Sequence, residues 1–386
     1  MIPRGRPDIS WSDLALAAGD ALRQQPVPPL GVWPGAPQAL ACRSVRSGLD
    51  LLLRALRLPP GDVLVSAVNI PGMFAVLQAH GLTPIPIFHE ALTLSMRTAD
   101  LDHAYTSRTR LVLIAHLFGA RSPLDDLLAW ARTHHLPVIE DCAQAFCGPT
   151  WSGHPRCLAS LFSFGSIKTS TAMGGGVMHL RDRRLLAACF DLQQRDRIPV
   201  PGARLRRVGL ACLLRVVTIP FIYGAIARWL SWHGRSLDDW VRQRIRGFPD
   251  DAVERLREQP GPGLIRTLRR RLYGFNSRAL FARWRGARSI LALLPSTALC
   301  PSRHAPAHTW WCLPVALNDA DAAVMALSRH GIDATRRGSA LVARGNGGSD
   351  SLDARLLERI VYLPMRGLTA LHRQRIAAVA AIDSRR

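Results

Sequence analysis

From about residue 40 to 195 the apolar positions of the chain switch repeatedly between two periods. Residues 47–58 carry apolar side chains at helical spacing, and Pro59-Pro60-Gly61-Asp62 ends that run in a turn. Residues 63–65 and 84–88 read as short strands on either side of a helical segment at 72–80. The run 111–117 is apolar almost without a break, which predicts a strand covered on both faces. A helix at 124–135, a strand at 137–139 and further strands at 161–164 and 177–180 complete the series. This β-α-β alternation predicts an α/β fold with a mostly parallel central sheet flanked by helices.

The pattern changes at 200–285, where arginine is dense and an apolar stretch covers 208–230. Arg215 and Pro220 interrupt that stretch, so no run reaches the roughly 20 residues that span a bilayer. Beyond Pro295 the α/β pattern resumes with a strand at 310–317, a helix at 321–330, a strand at 360–363 and a closing helix at 370–382. The expected organisation is a large domain over 1–200 with an N-terminal arm at 1–40, an Arg-rich, partly apolar helical insertion over 201–285, and a smaller C-terminal α/β domain over 286–386. The Gly/Ser-rich tract 345–351 is expected to be a loop.

Composition changes this picture in one respect. A hydrophobic content of 48% and a charged content of 20% in 386 residues are ordinary for a globular protein, but 50 basic against 28 acidic residues leave a formal charge of +22. Of the 50 basic residues 49 are Arg and one, Lys168, is Lys. The bias has two readings, a genome rich in Arg codons or a surface that meets anions. Either way the surviving Lys marks a position where Arg does not serve, since a guanidinium stays protonated while a Lys amine can be made a nucleophile. The eight Cys show no CxxC pair and no zinc spacing, so no metal site is expected, and their apolar settings fit a reducing, cytoplasmic compartment. The first residues lack the apolar core of a signal peptide.

Three clusters carry candidate chemistry. Ile139-Glu140-Asp141-Cys142-Ala143-Gln144 closes a predicted strand, and a carboxylate there points into the ligand crevice of an α/β sheet. Asp141 can hold a pyridine nitrogen protonated, which makes the ring an electron sink, and Gln144 can donate to a ring oxygen. Phe162-Ser163-Phe164 follows and leads to Lys168, and Gly174-Gly175-Gly176 permits close backbone approach. Taken singly, an Asp after a strand is commonly a helix cap and a Gly triplet commonly a turn. Their joint spacing is what carries the argument.

With these motifs the sequence resembles the DegT/StrS group of nucleotide-sugar aminotransferases, which depend on pyridoxal 5'-phosphate (PLP) and have the aspartate-aminotransferase fold, fold type I. The resemblance is closest over 40–185, with His116-Leu117-Phe118-Gly119, Pro60-Gly61-Asp62 and Tyr362-Leu363-Pro364 also matching. It implies that Lys168 forms a Schiff base with PLP and carries protons, that Asp141 pairs with the pyridine nitrogen, that Gln144 contacts the ring hydroxyl and that Ser163 binds the phosphate. Ser47-Gly48, read as the opening of a helix, match the family's second phosphate contact. It further implies an amino-acid donor such as glutamate, a keto acceptor, and a homodimer with its sites at the subunit interface.

Several positions depart from the family pattern. Leu49 stands where a Thr hydroxyl usually meets the phosphate, Ile70 where an aromatic stacks on the ring, Met73 where a Thr is usual and Phe88 where an Asp ends a strand. Gly274-Phe275-Asn276-Ser277-Arg278 is similar to the segment that reaches the partner's cofactor, but follows a long insertion. These changes leave a second reading open, a PLP-fold protein that no longer catalyses and serves in binding or regulation. A nucleic-acid role for the Arg-rich 200–290 region lacks any recognition motif. The stretch 204–235, with Arg204, Arg206, Arg207, Arg228, Arg235, Trp229 and Trp232, is expected either to pack as a helical hairpin or to lie on an anionic membrane surface. The latter would favour an amphiphilic or lipid-linked acceptor.

Overall fold

The computed structural model describes every residue except 24, 201, 234–252, 337–340, 346–347, 349 and 385–386. Seven strands form the central sheet: β1 Ala39–Cys42, β2 Gly61–Ser66, β3 Leu82–Ile87, β4 Thr109–Ala115, β5 Val138–Asp141, β6 Ala159–Ser163 and β7 Gly176–Leu180. Their order is β1-β7-β6-β5-β4-β2-β3. The five strands from β6 to β3 pair in parallel, whereas β7 runs antiparallel to both β6 and β1.

The apolar run of β4 is explained by burial on both faces. Leu111 and Leu113 join the cluster shared with the Val45–Leu56 and Pro71–Ala79 helices, while Val112 and Ile114 join the one under the Asp125–Thr133 helix. This is the strand period of two read out as two cores. The C-terminal ends of the parallel strands therefore carry Asp141 on β5, Ser163 on β6 and, just past β2, Ile70 along one edge of the sheet. That edge is where an open α/β sheet binds its ligand.

In the small domain Leu313–Ala316 pairs antiparallel with Ile360–Leu363, covered by the Ala320–Arg329 and Ala370–Asp383 helices. The paired strand is shorter than the expected 310–317 because Trp310 sits at φ 48°, a left-handed conformation that breaks the extended run.

The domain boundaries need two corrections. The Pro262–Tyr273 helix lies within the expected insertion, yet Leu264, Leu268 and Leu272 pack beneath the sheet with Trp33, Phe162 and Phe164. The segment belongs to the large domain, its apolar stripe at i, i+4, i+8 masked in the sequence by Arg266, Arg269, Arg270 and Arg271. The N-terminal arm is likewise divided. Ile2 exchanges backbone hydrogen bonds with the small domain at Gly331 (2.7 Å) and Asp333 (3.0 Å), and Arg4 pairs with Asp333 at 2.7 Å. The Trp11–Leu22 helix instead buries Leu14 and Ala17 against Met173, Val208 and Ala211.

The apolar stretch of the insertion forms two helices, Ala203–Val217 and Pro220–Trp232, that meet at an angle of 84°. Pro220 opens the second helix, where its missing N–H costs nothing. Among the described residues no single helix is long and apolar enough to cross a membrane. Tyr223 donates to the Asp333 carboxylate at 2.5 Å, which ties the insertion to the small domain. Arg235 and residues 346, 347 and 349 of the 345–351 tract lie outside the described residues.

Candidate active site

Asp141 ends β5 with 6% of its surface exposed, and its Oδ1 accepts a hydrogen bond from the Ala143 amide at 2.9 Å. Burial drives its pKa up. The Ala143 N–H, the charge of Lys168 and His116 pull it down, and burial wins. Its sequence neighbour Glu140 points to the opposite face, as adjacent strand residues must. There it accepts His116 Nε2 at 2.9 Å, the Ser160 hydroxyl at 2.5 Å and the His154 amide at 2.5 Å. Burial would raise Glu140 as well, but these partners outweigh it and hold the carboxyl below its ordinary range. Two adjacent carboxylates are thus driven apart, one sunk in a satisfied network and one left basic at the crevice.

His116 is fixed as a donor to Glu140, since its Nδ1 accepts the Ser122 N–H at 3.0 Å. His116, Glu140 and Cys142 lie close enough together to suggest a metal. The first two spend their lone pairs on one another and on Ser122, Ser160 and His154, and burial keeps the Cys142 thiol protonated. The cluster is a hydrogen-bonded support behind Asp141.

Lys168 lies five residues beyond Ser163, and its N–H donates to the Gly165 carbonyl at 3.0 Å. Removal from water lowers its pKa to about 8, against the opposing pull of Asp141 and Cys312, so a useful fraction of the amine is neutral near pH 7. Its Nζ sits 4.3 Å from the centre of the Trp311 ring, and the Trp311 indole N–H donates to the Ile167 carbonyl at 3.1 Å. The loop bearing Trp311 reaches this point because Gly119 has no side chain. A Cβ there would stand 2.6 Å from the Trp311 nitrogen.

Gln144 accepts the Phe118 N–H at 2.8 Å, which commits its oxygen and leaves its N–H2 as donors. Ser163 Oγ and the Lys168 stem flank Gly165, at 3.7 Å and 3.8 Å from where its Cβ would be. Lys168 thus lies beside Ser163 across Gly165 and within electrostatic reach of Asp141, and Gln144 follows Asp141 by three residues.

The expected opening of a helix at Ser47-Gly48 needs correction. The helix at Ser47-Gly48 opens three residues earlier, at the N-cap Ser44. The Ser47 N–H is already held by Ser44 Oγ at 3.1 Å and the Gly48 N–H by the Ser44 carbonyl at 3.0 Å. Leu49 is fully buried one turn further in, within the main core cluster. Met73 is likewise sealed in the core, while Phe88 and Ile70 are half-buried. Ile70 caps the Pro71–Ala79 helix at the ligand edge and also leans on the main core cluster.

Gly274-Phe275-Asn276-Ser277-Arg278 precedes the Arg278–Leu291 helix, whose Ala287 and Ile290 enter the small-domain core. Phe275 anchors the segment against Phe146, with ring centres 5.3 Å apart, and residues 276–279 are exposed. Sequence reasoning missed Ser44, Trp311, Cys312 and the role of Glu140. For Ser44 a signal existed, a Ser three residues before Ser47 at the head of an apolar helix. For Trp311, 143 residues from Lys168, no local signal exists.

Residues 30–203 match the model of the DegT/DnrJ/EryC1/StrS aminotransferase family. The chain is 30% identical over 203 residues to a GDP-perosamine synthase of Caulobacter vibrioides, an alignment covering 47% of this chain and 53% of that protein. It thus spans about half the length of that curated relative. Among solved structures, sugar aminotransferase CalS13 from Micromonospora echinospora superposes with a TM-score of 0.65 at 20% identity, covering 100% of both chains. Spr1654 from Streptococcus pneumoniae, solved in its PLP form, gives a TM-score of 0.67 at 16% identity over 100% of this chain and 99% of that one. Both structures have the fold described above. Over residues 30–203, a little under half of its length, the chain is similar to the DegT/DnrJ/EryC1/StrS aminotransferase family.

Proposed function

We propose that the protein is a PLP-dependent aminotransferase that takes an amino group from an amino-acid donor such as glutamate and delivers it to the keto group of a nucleotide-linked sugar. The observation that carries this reading is the chain's single lysine, half-buried with its amine over the Trp311 ring and within electrostatic reach of the buried Asp141 carboxylate. The donor set fits PLP: Lys168 for the aldehyde, Asp141 for the pyridine nitrogen, the Gln144 N–H2 for the ring oxygen, and Ser163 with the N-terminal end of the Val45–Leu56 helix for the phosphate. When bound, PLP supplies an electron sink for cleavage at the donor's α-carbon.

The chain's own residues supply the rest. Neutral Lys168 Nζ would hold the cofactor through its aldehyde, and the same amine would serve as the base that takes a proton from the donor's α-carbon and returns it. Asp141, made basic by burial, keeps a proton on its partner nitrogen. The Glu140–His116–Ser122 network holds β5 in place beneath it. Support for the sugar acceptor lies in the relatives, named as a GDP-perosamine synthase and a sugar aminotransferase. Support for a homodimer lies in the exposed 276–279 segment, part of a stretch similar in sequence to the one by which the family reaches a partner's cofactor. A protein that has lost catalysis would have no need of a lysine whose amine is tuned this way.

The test is the donor half-reaction. Protein loaded with PLP and given glutamate should release one equivalent of 2-oxoglutarate per site without any acceptor, and keto-sugar nucleotide should then be aminated. Loaded protein that releases no keto acid from any amino-acid donor would reverse the reading in favour of a binding or regulatory role.

A further inference from the structure

The two insertion helices have two apolar faces each, and only one of them is used by the fold. Val208, Ala211 and Leu214 face inward, with Val208 and Ala211 packing against Ile9, Leu14 and Ala17. The opposite side of the Ala203–Val217 helix exposes Leu205, Leu210, Leu213 and Val216. On the Pro220–Trp232 helix the outward stripe is Phe221, Ala225, Arg228, Trp229 and Trp232, at i, i+4, i+7, i+8 and i+11, with Phe221 80% and Trp232 86% exposed. A water-facing stripe on a helix of this kind is normally polar. Exposed aromatics and aliphatics that continue around an 84° elbow make a contiguous apolar patch of the sort that marks an interaction site.

The charge pattern selects the occupant. From 197 to 237 the sequence has no Asp or Glu, while Arg197, Arg204, Arg206, Arg207, Arg215 and Arg228 all fall within it. Arg206 and Arg228 lie on the outward side beside the apolar stripes. A second copy of this chain would set cation against cation across such a face. A surface of anionic headgroups over acyl chains complements both features, with the arginines at the phosphates and the Trp and Phe rings at the boundary. Neither helix alone is long and apolar enough to cross, and the 84° bend with exposed aromatics beside arginines suits a pose within the headgroup layer.

We infer that the elbow formed by Ala203–Val217 and Pro220–Trp232 docks the enzyme on an anionic lipid surface. The inference does not depend on the catalytic reading, because binding is measured without substrate. Vesicle flotation of the full chain, with phosphatidylcholine alone and with phosphatidylcholine containing phosphatidylglycerol, tests it. Protein should float with the anionic vesicles only and should be released by salt. The combined variant Phe221→Ser, Trp229→Ser, Trp232→Ser should cut the bound fraction by about tenfold or more, with circular dichroism and elution volume unchanged because these side chains leave the core untouched. Protein that stays soluble with anionic vesicles at low salt overturns the inference. So does a triple variant that floats like the parent. A triple variant that turns a dimer into a monomer shows that the face belongs to a second copy and also overturns it.

Discussion

Lys168 Nζ lies 4.3 Å from the centre of the Trp311 ring, so a residue from beyond the insertion walls in the one lysine of the chain. Burial costs the ammonium its water, and neither the Trp311 face nor the Asp141 charge fully restores what is lost, which leaves a pKa of about 8. The sign is clear: burial disfavours the charged form, so the nucleophile gains as pH rises through that value. The rate at which apoprotein takes up PLP, followed by absorbance, should climb about tenfold per pH unit below 8 and level off above it. A rate still climbing at the pH of free lysine would contradict the burial of this amine.

Asp141→Asn keeps the shape of the side chain and removes the base. The variant should fold and retain PLP in large part, but the glutamate half-reaction should slow by roughly a thousandfold, about 4 kcal/mol of barrier. Loss of the negative charge should also move the midpoint for PLP uptake below the parent's, since Asp141 favours the Lys168 ammonium. A half-reaction near the parent rate would assign the ring nitrogen to another group.

Ile70 stands at the ligand edge where an aromatic would stack on the cofactor ring. Ile70→Phe should tighten PLP retention by about 1 kcal/mol, read as a slower loss on dialysis. Because Ile70 also touches the main core cluster, a fall in melting temperature with no gain in retention would make it a packing residue only.

The helix mouth gives a paired prediction. Ser44→Ala removes the cap of the Val45–Leu56 helix and should cost about 1 kcal/mol in urea denaturation, with weaker PLP retention. Ser47→Ala leaves the Ser47 amide on Ser44 Oγ and should leave retention unchanged. The reverse pattern would restore Ser47 to the phosphate site.

The contrast between Ser44 and Lys168 shows what was legible from residues alone. Lys168, Asp141, Gln144 and Ser163 fall within 28 positions of one another, in and just beyond strands whose apolar runs announce a doubly covered sheet, and the fold sets Asp141 and Ser163 at the ends of adjacent parallel strands. Ser44 was missed because apolar spacing locates the body of a helix better than its first turn, which is set by a side-chain cap. The Pro262–Tyr273 helix was misassigned because its arginines speak for the exposed face, while Leu264, Leu268 and Leu272 carry the buried one. Trp311 was invisible because nothing local distinguishes a tryptophan that will cover an active lysine from one that will fill a core.

On the proposed function Lys168 alone holds the cofactor, and the absence of any other side-chain amine makes that directly testable. Borohydride reduction of the PLP-loaded protein, followed by peptide mapping, should place one pyridoxyl group per chain on the peptide containing Lys168, and Lys168→Arg should bind none covalently. A label found only on the α-amino group of Met1, or no label on well-folded protein, would contradict the account.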